Sequence, residues 1–165
     1  MGLDMYLTKH TYIGAEHEHQ KVEGKIDISI KGNPVNINFN RVRSIVESVG
    51  YWRKANQIHN WFVQNVQGGE DDHAEHHVSR ENFESLLSDI NTVLNAKGTP
   101  EEEGAIEDLL PPTSGFFFGS TEVDEWYWKD LEDTKILIEN LLLEMDEDQK
   151  NPNAWNIDYY YEASW

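Results

Sequence analysis

The chain changes its periodicity within the stretch Tyr51-Trp52-Arg53-Lys54-Ala55-Asn56-Gln57-Ile58-His59-Asn60-Trp61-Phe62. From Ala55 onward, apolar residues recur every three or four positions, which is the spacing of one face of a helix. This helix is predicted to end at Gly68-Gly69, and a strand from Val49 to Arg53 is predicted to lead directly into it. The chain is therefore expected to combine strands with helices.

The residues before this stretch are typical of short strands. Strands are predicted at Leu3–Thr8, Lys25–Ile30 and Val35–Phe39. In the last two, apolar residues alternate strictly with polar ones around the turn Lys31-Gly32-Asn33-Pro34, which is the pattern of a half-buried antiparallel hairpin. One face of this hairpin is expected to lie in water.

The residues after this stretch are typical of helices separated by loops. Ser79 and Asp124 are predicted to cap two helices, each with one apolar stripe. The segment 99–114 contains three Pro and is predicted to be a surface loop with one short helical turn. Two further strands are predicted, a buried one at Gly115-Phe116-Phe117-Phe118-Gly119-Ser120 and an aromatic one at Trp155–Tyr161.

These patterns predict a single α+β domain over residues 1–165, in which a small antiparallel sheet packs against about three helices. The hairpin and the C-terminal aromatic strand are expected to share one sheet. A chain of this length buries roughly 70% of its unfolded surface, which is enough for a core. The absence of Cys excludes disulfides and thiolate catalysis. The sequence has neither a secretion signal nor a stretch of roughly 18 apolar residues, so a cytoplasmic protein is expected.

The charge of the chain is divided between a near-neutral part and an acidic part. Residues 1–67 carry eight Lys or Arg and six Asp or Glu, a net charge of +2, whereas residues 68–165 carry five and twenty-five, a net charge of −20. The acidic part repels nucleic acid and anionic membranes, so neither is expected as a direct partner. Its runs, such as Glu101-Glu102-Glu103, form either a solvated face or a mimic of nucleic-acid phosphates.

The near-neutral part contains the candidate binding site. A helix from Ala55 places Asn56, His59, Asn60 and Val63 opposite its apolar face, so that polar groups converge beside Trp52 and Arg53. Arg offers a planar fork for carboxylate or phosphate, indole offers a stacking face, and His donates or accepts near neutral pH. This set predicts an anionic, partly aromatic ligand such as a nucleotide. The alternative is that Trp52 and Trp61 belong to the core, the cations pair with acidic residues of the same chain and His59 makes a local hydrogen bond.

A second group of residues is a weaker candidate for a metal site. His73, Glu75 and His77 would share one face of a strand, and His17-Glu18-His19 could add two nitrogens. However, their spacing is not that of a helical His-Glu-x-x-His site, and histidines exposed in a polar loop are the favoured interpretation. No metal or other cofactor is therefore predicted.

Four segments resemble a family of small phage and prophage proteins. They are Met1–Leu7, Tyr51-Trp52-Arg53-Lys54 with His59 one helical turn later, Gly115–Ser120 and Ala163-Ser164-Trp165. The resemblance runs from end to end and implies an accessory product in the cytoplasm of a bacterial host. It also implies that Trp52, Arg53, Lys54 and His59 form one surface with the segment Phe116–Ser120. The candidate ligand-binding residues are Trp52, Arg53, Lys54, Asn56, His59, Phe117 and Ser120.

Three classes of function are compatible with these residues. The first is a non-enzymatic accessory protein that neutralises a host component in anti-defence, by blocking a host protein or by sequestering a nucleotide. The second is a small hydrolase or transferase in which Arg53 holds a phosphate and His59 is the general acid or base. The third is an interaction protein, either an acidic nucleic-acid mimic or a homodimer that uses its six Trp and seven Tyr.

Overall fold

The computed structural model describes residues 2–14, 23–152 and 156–165. Within these ranges, four helices pack with a four-stranded antiparallel sheet, and two short strands form a separate hairpin, which confirms the predicted α+β class. The strands and helices in chain order are β1 Asp4–Tyr12, β2 Ile28–Ile30, β3 Asn33–Val35, β4 Ser44–Arg53, α1 Asn56–Asn65, β5 His76–His77, α2 Arg80–Ala96, α3 Glu102–Leu109, α4 Glu125–Asp148 and β6 Ile157–Ser164.

The main sheet is organised around β1, in the order β4-β1-β6-β5. β1 pairs with β4 and β6, so that Asp4 lies opposite both Arg53 and Ser164. Alternate residues of β1, Met5 and Leu7, are fully buried against the helices. The predicted strands at both ends of the chain are therefore confirmed, and they lie next to each other in one sheet.

Lys9 continues the buried side of β1 and ties the sheet to α4. Its ammonium donates to the carboxylate of Glu144 and, at 2.7 Å, to that of Asp148. Burial alone would lower the pKa of Lys9, but these hydrogen bonds outweigh it and hold the pKa above its ordinary value. The C-terminal end of α4 is thus fixed to the sheet by a partly buried charge cluster.

The core lies between the buried side of the sheet and the helices. The rings of Phe62 on α1 and Tyr161 on β6 are stacked, with centroids 4.0 Å apart. Trp52 on β4 is also part of this core, and its indole nitrogen donates to the Thr134 hydroxyl of α4 at 2.8 Å. Trp61 is buried as well, and this agrees with the alternative that places both indoles in the core.

The predicted caps of the two longer helices are confirmed. Ser79 accepts from the amide of Asn82, whose side chain accepts in return from the amide of Ser79, so that the two residues form a capping box. Asp124 accepts from two amides in the first turn of α4. The segment predicted as a loop with one helical turn contains the eight-residue helix α3.

Two predictions about strands are wrong. β2 and β3 form their own sheet and do not join β6, which pairs with β1 on one side and β5 on the other. The hairpin was expected to be half-buried, but its apolar residues Ile28, Ile30 and Val35 are exposed. Neither of its faces is therefore buried. Strict alternation therefore identified a hairpin here without identifying a partner for it.

The second error concerns Gly115–Ser120, which is a loop and not a buried strand. Phe116 is 76% exposed and only Phe118 is buried. Phe117 has φ 68° and Gly119 has φ 94°, and these left-handed conformations turn the chain too sharply for a strand. Of the aromatic strand predicted at Trp155–Tyr161, the first residue lies outside the described residues.

Gly50 is required where α4 crosses the sheet. A Cβ at this buried position would lie 2.9 Å from Cδ2 of Leu137 and 3.2 Å from Cβ of Leu7. We expect Gly50→Ala to lower the free energy of unfolding by about 1–3 kcal/mol, because the side chain of Leu137 must leave its place or α4 must move with it. Urea unfolding followed by circular dichroism measures the change.

The matched control is Gly104→Ala. Gly104 lies in α3, and a Cβ there would have no neighbour within 4 Å. Because Ala favours a helix over Gly, we expect a gain of up to about 1 kcal/mol. Equal effects of the two substitutions would contradict the steric role of Gly50.

Candidate functional site

The junction between β4 and α1 has an unusual backbone. Lys54 has φ 63°, a left-handed conformation that is costly for a residue with a side chain. Ala55 follows with φ −75° and ψ 70°, and the amide of Asn56 donates to the Lys54 carbonyl at 2.9 Å, so that the chain forms an inverse γ-turn. The amide of Lys54 donates to the Leu3 carbonyl at 2.8 Å. These contacts hold the junction against the start of β1.

Asn56 connects this junction to the 112–120 loop. Its side-chain amide donates to the carbonyls of Ser120 at 2.8 Å and Phe118 at 3.2 Å. Its side-chain oxygen accepts from the amide of Thr113 at 2.8 Å. Because Asn56 is buried and makes three hydrogen bonds to the loop, it builds the site and is not available to a ligand.

One cavity lies between the junction, the 112–120 loop and the start of α4, and we call it the Arg53 pocket. It has a volume of about 310 Å³. Arg53 and Lys54 bring positive charges to it, and three residues of the segment 122–130 bring carboxylates. The residues that line it are Arg53, Lys54, Asn56, Gln57, Pro112, Gly119, Ser120, Glu122, Asp124, Trp126, Tyr127 and Asp130.

Asp130 is the carboxyl group of the Arg53 pocket with the most altered acidity. Burial raises its pKa to about 6, although the amide of Gln57, which donates to it at 3.3 Å, opposes the change. The negative charge of the pocket therefore changes close to neutral pH. A ligand that pairs with Asp130 would bind differently on the two sides of this pKa.

A second cavity, which we call the His59 cavity, shares no lining residue with the Arg53 pocket. Its volume is about 390 Å³. It lies between α1, the segment 69–71, the 112–120 loop and the end of β6. The residues that line it are His59, Asn60, Val63, Gln64, Gly69, Asp71, Thr113, Ser114, Gly115, Phe116, Phe118 and Trp165.

His59 is almost completely buried at the inner end of this cavity, with 1% of its surface exposed. Its Nδ1 shares a 2.7 Å hydrogen bond with the Tyr161 hydroxyl. Its Nε2 lies 3.1 Å from Oδ1 of Asp71, but the contact does not have the angle of a hydrogen bond. Burial lowers the pKa of His59 because it disfavours the charged imidazole, and the nearby Asp71 only partly offsets this effect.

The candidate residues from the sequence are divided between the core and the two cavities. Arg53, Lys54 and Ser120 line the Arg53 pocket, whereas His59 belongs to the other cavity. Trp52 is 7% exposed and offers no open face for stacking. The side chain of Phe117 is exposed, and its carbonyl accepts from the amide of Leu3 at 3.3 Å.

The predicted polar face of α1 is largely covered by other segments. Asn56 and His59 are buried, because Asn56 bonds to the 112–120 loop and His59 bonds to Tyr161 on β6. Val63 is buried as well, whereas Asn60 is partly exposed and lines the His59 cavity. A helical pattern identifies the apolar face but does not tell whether another segment covers the polar one.

Sequence analysis missed Trp126 and Asp130. Trp126 is 64% exposed and lines the Arg53 pocket, where it offers the indole face that Trp52 does not. It directly precedes Tyr127, the first buried residue of α4. An indole just outside an apolar stripe is the signal that could have identified it.

The residues considered for a metal site do not converge. His73 stacks on Trp165, Glu75 lies 3.9 Å from His10, and His77 lies 3.4 Å from Asp158. Across residues 2–14, 23–152 and 156–165, no group of three or more His, Asp or Glu could hold a metal ion. The segment His17-Glu18-His19 lies outside the described residues.

Comparisons with protein-family models, curated proteins and solved structures find no match for this chain. In the part of the chain that the structure describes, no helix combines the length and apolar composition needed to cross a bilayer. The function therefore has to be inferred from the two cavities and their residues.

Removal of the Asn56 side chain tests its role in the site. Asn56→Ala leaves two carbonyls and one amide of the 112–120 loop without their partner, so we expect a loss of roughly 2–4 kcal/mol in the free energy of unfolding. Hydrogen exchange at the amide of Thr113 should become much faster. Asn140→Ala, at an exposed position of α4, should change stability by less than about 0.5 kcal/mol. Unchanged exchange at Thr113 in Asn56→Ala would contradict the assignment.

Asp130→Asn tests the acidity of the Arg53 pocket. A carboxyl whose pKa is raised from 3.8 to about 6 by folding destabilises the folded state progressively as pH rises through that interval. Because the site is only partly buried, we expect the amide to be more stable than the carboxylate by about 1 kcal/mol above pH 6. Urea unfolding of both proteins between pH 4 and pH 8 measures the difference, which should vanish toward about pH 4. A difference that does not depend on pH would refute the altered acidity.

Proposed function

We propose that this protein is a non-enzymatic accessory protein of a phage or prophage that binds a host protein in the bacterial cytoplasm and blocks its action. The binding surface is centred on the Arg53 pocket. The observation that carries the proposal is the meeting of Arg53, Lys54 and the exposed indole of Trp126 around one preformed cavity. The resemblance of four sequence segments to small phage proteins supports the phage origin.

The backbone around the pocket supports a role in recognition. Lys54 and Phe117, two residues with left-handed backbone, are joined through Leu3, whose carbonyl and amide bond to them respectively. Such conformations persist where surrounding contacts impose them, and they are concentrated at functional sites. A rigid surface loses little conformational entropy when it binds a partner.

The residue types favour a protein partner. Trp and Arg are the side chains that most often dominate the binding free energy of protein interfaces. The pocket combines two cations with the carboxylates of Glu122, Asp124 and Asp130, and a protein surface of mixed charge complements this set better than a phosphate does. The net charge of −18 adds to the repulsion of a free anion.

Nucleotide sequestration is the second candidate function. It is favoured by Trp126, because an exposed indole lies in the same cavity as Arg53 and Lys54. A base stacked on this indole would place its phosphates toward the two cations. The three carboxylates of the cavity oppose this mode, which therefore ranks below protein binding.

The position of His59 supports binding over catalysis. A hydrolase or transferase of the kind considered above needs the imidazole and the guanidinium to reach one substrate. The two side chains line different cavities with no residue in common, and His59 is buried with its Nδ1 bonded to Tyr161. His59 therefore has no catalytic role in the proposed function.

Arg53→Glu tests the proposal directly. Untagged protein is mixed with bacterial lysate at low salt, and the complexes are examined by native mass spectrometry. We expect the wild type to retain a host protein and Arg53→Glu to lose it, with a melting temperature within a few degrees, because Arg53 is exposed. Trp126→Ala should weaken the same complex at least tenfold, the effect of a hot-spot side chain.

The matched control is Lys25→Glu, which makes the same change of charge at an exposed position outside the pocket. It should retain the host protein. If all variants retain it, the Arg53 pocket is not the binding surface. A bound nucleotide in the wild type would favour sequestration, and an uncomplexed homodimer would favour the third class of function.

A further inference from the structure

The walls of the His59 cavity are aromatic. Phe118 and Trp165 meet almost at right angles, with ring centroids 6.0 Å apart, and Phe118 also contacts the imidazole of His59 edge-on at 5.1 Å. The ring of Phe116 adds a third, exposed side. Aromatic faces carry partial negative charge and attract cations within about 6 Å of the ring.

The charge of the cavity has one sign. Asp71 is the only acidic residue among the twelve that line it, and none of the twelve is Lys or Arg. About a third of the Asp71 side chain is exposed, so a ligand can reach it. A carboxylate beside three aromatic rings attracts a cation and repels an anion.

The imidazole of His59 lies beside Asp71 at the inner end of the cavity. Its Nε2 is buried and lies 3.1 Å from Oδ1 of Asp71. This carboxylate favours the tautomer with the proton on Nε2, in which Nδ1 accepts from the Tyr161 hydroxyl. The exposed part of the Asp71 carboxylate keeps acceptor sites for a further donor, and an ammonium group has three N–H donors.

We propose that the His59 cavity binds a primary alkylammonium ion, with the ammonium hydrogen-bonded to Asp71 and the alkyl chain against Phe116, Phe118 and Trp165. Such a group occurs at the end of a lysine side chain and in free polyamines. Since the cavity shares no lining residue with the Arg53 pocket, binding there does not require the function proposed for that pocket.

The experiment is an NMR titration with n-butylammonium chloride, which carries the group at the end of a lysine side chain. The protein is labelled with ¹⁵N at histidine, and the His59 signals are assigned with His59→Gln. We expect the His59 nitrogen signals to shift with a Kd of roughly 1 mM, a usual affinity for so small a ligand. The uncharged n-butanol, at the same concentrations, should leave them unchanged.

Variants decide which residues hold the cation. Asp71→Asn should weaken binding at least tenfold, whereas Asp72→Asn should not, because Asp72 pairs with His76 and does not line the cavity. Phe116→Ala should weaken binding several-fold and is expected to fold normally, since this ring is exposed. Unmoved His59 signals, or equal affinity of the wild type and Phe116→Ala, would overturn the proposal.

A comparison of two further amines identifies the source of the ammonium group. Spermidine and Nα-acetyl-lysine methylamide are titrated in the same way. Tighter binding of spermidine would assign the cavity to a free polyamine, and tighter binding of the lysine derivative would assign it to a lysine side chain of a protein. If neither amine moves the His59 signals, the cavity is not an ammonium site.

Discussion

The site depends on the buried side chain of Asn56. The 112–120 loop has neither helix nor strand, so its backbone groups need partners from elsewhere in the fold. Asn56, the first residue of α1, is the hydrogen-bond partner of three of these backbone groups. Because different residues of this loop line the Arg53 pocket and the His59 cavity, one amide determines the shape of both.

The parts of the fold that the sequence predicted are those governed by local pattern. The junction from Arg53 to Asn56, the Ser79 and Asp124 caps and the apolar stripes of α2 and α4 depend on residues a few positions apart. Local pattern does not reveal which distant segment packs over a given face of a strand or helix. For this reason the hairpin around Gly32 was placed in the wrong sheet.

The site shows the same limit. Arg53 and Lys54 were identified because cations beside aromatic residues are a chemical signal that does not require a fold. The sequence left Trp52 open between a stacking face and a core residue, since its burial depends on Thr134, eighty-two positions later. Nothing in the sequence distinguishes Asp130 from the other members of the acidic runs, because only the three-dimensional packing makes its carboxyl group unusual.

The position of β1 at the centre of the sheet has a consequence for folding kinetics. Thr8 on β1 bonds to the carbonyl of Tyr160 on β6, 152 positions away. Contacts of such separation raise the contact order and slow folding, because a long loop must close before they form. During synthesis, β1 can pair with β4 early but must wait for β6 until residues 157–164 are made. The bond between His59 and Tyr161 forms in that same late step, so the His59 cavity is among the last features of the molecule to exist.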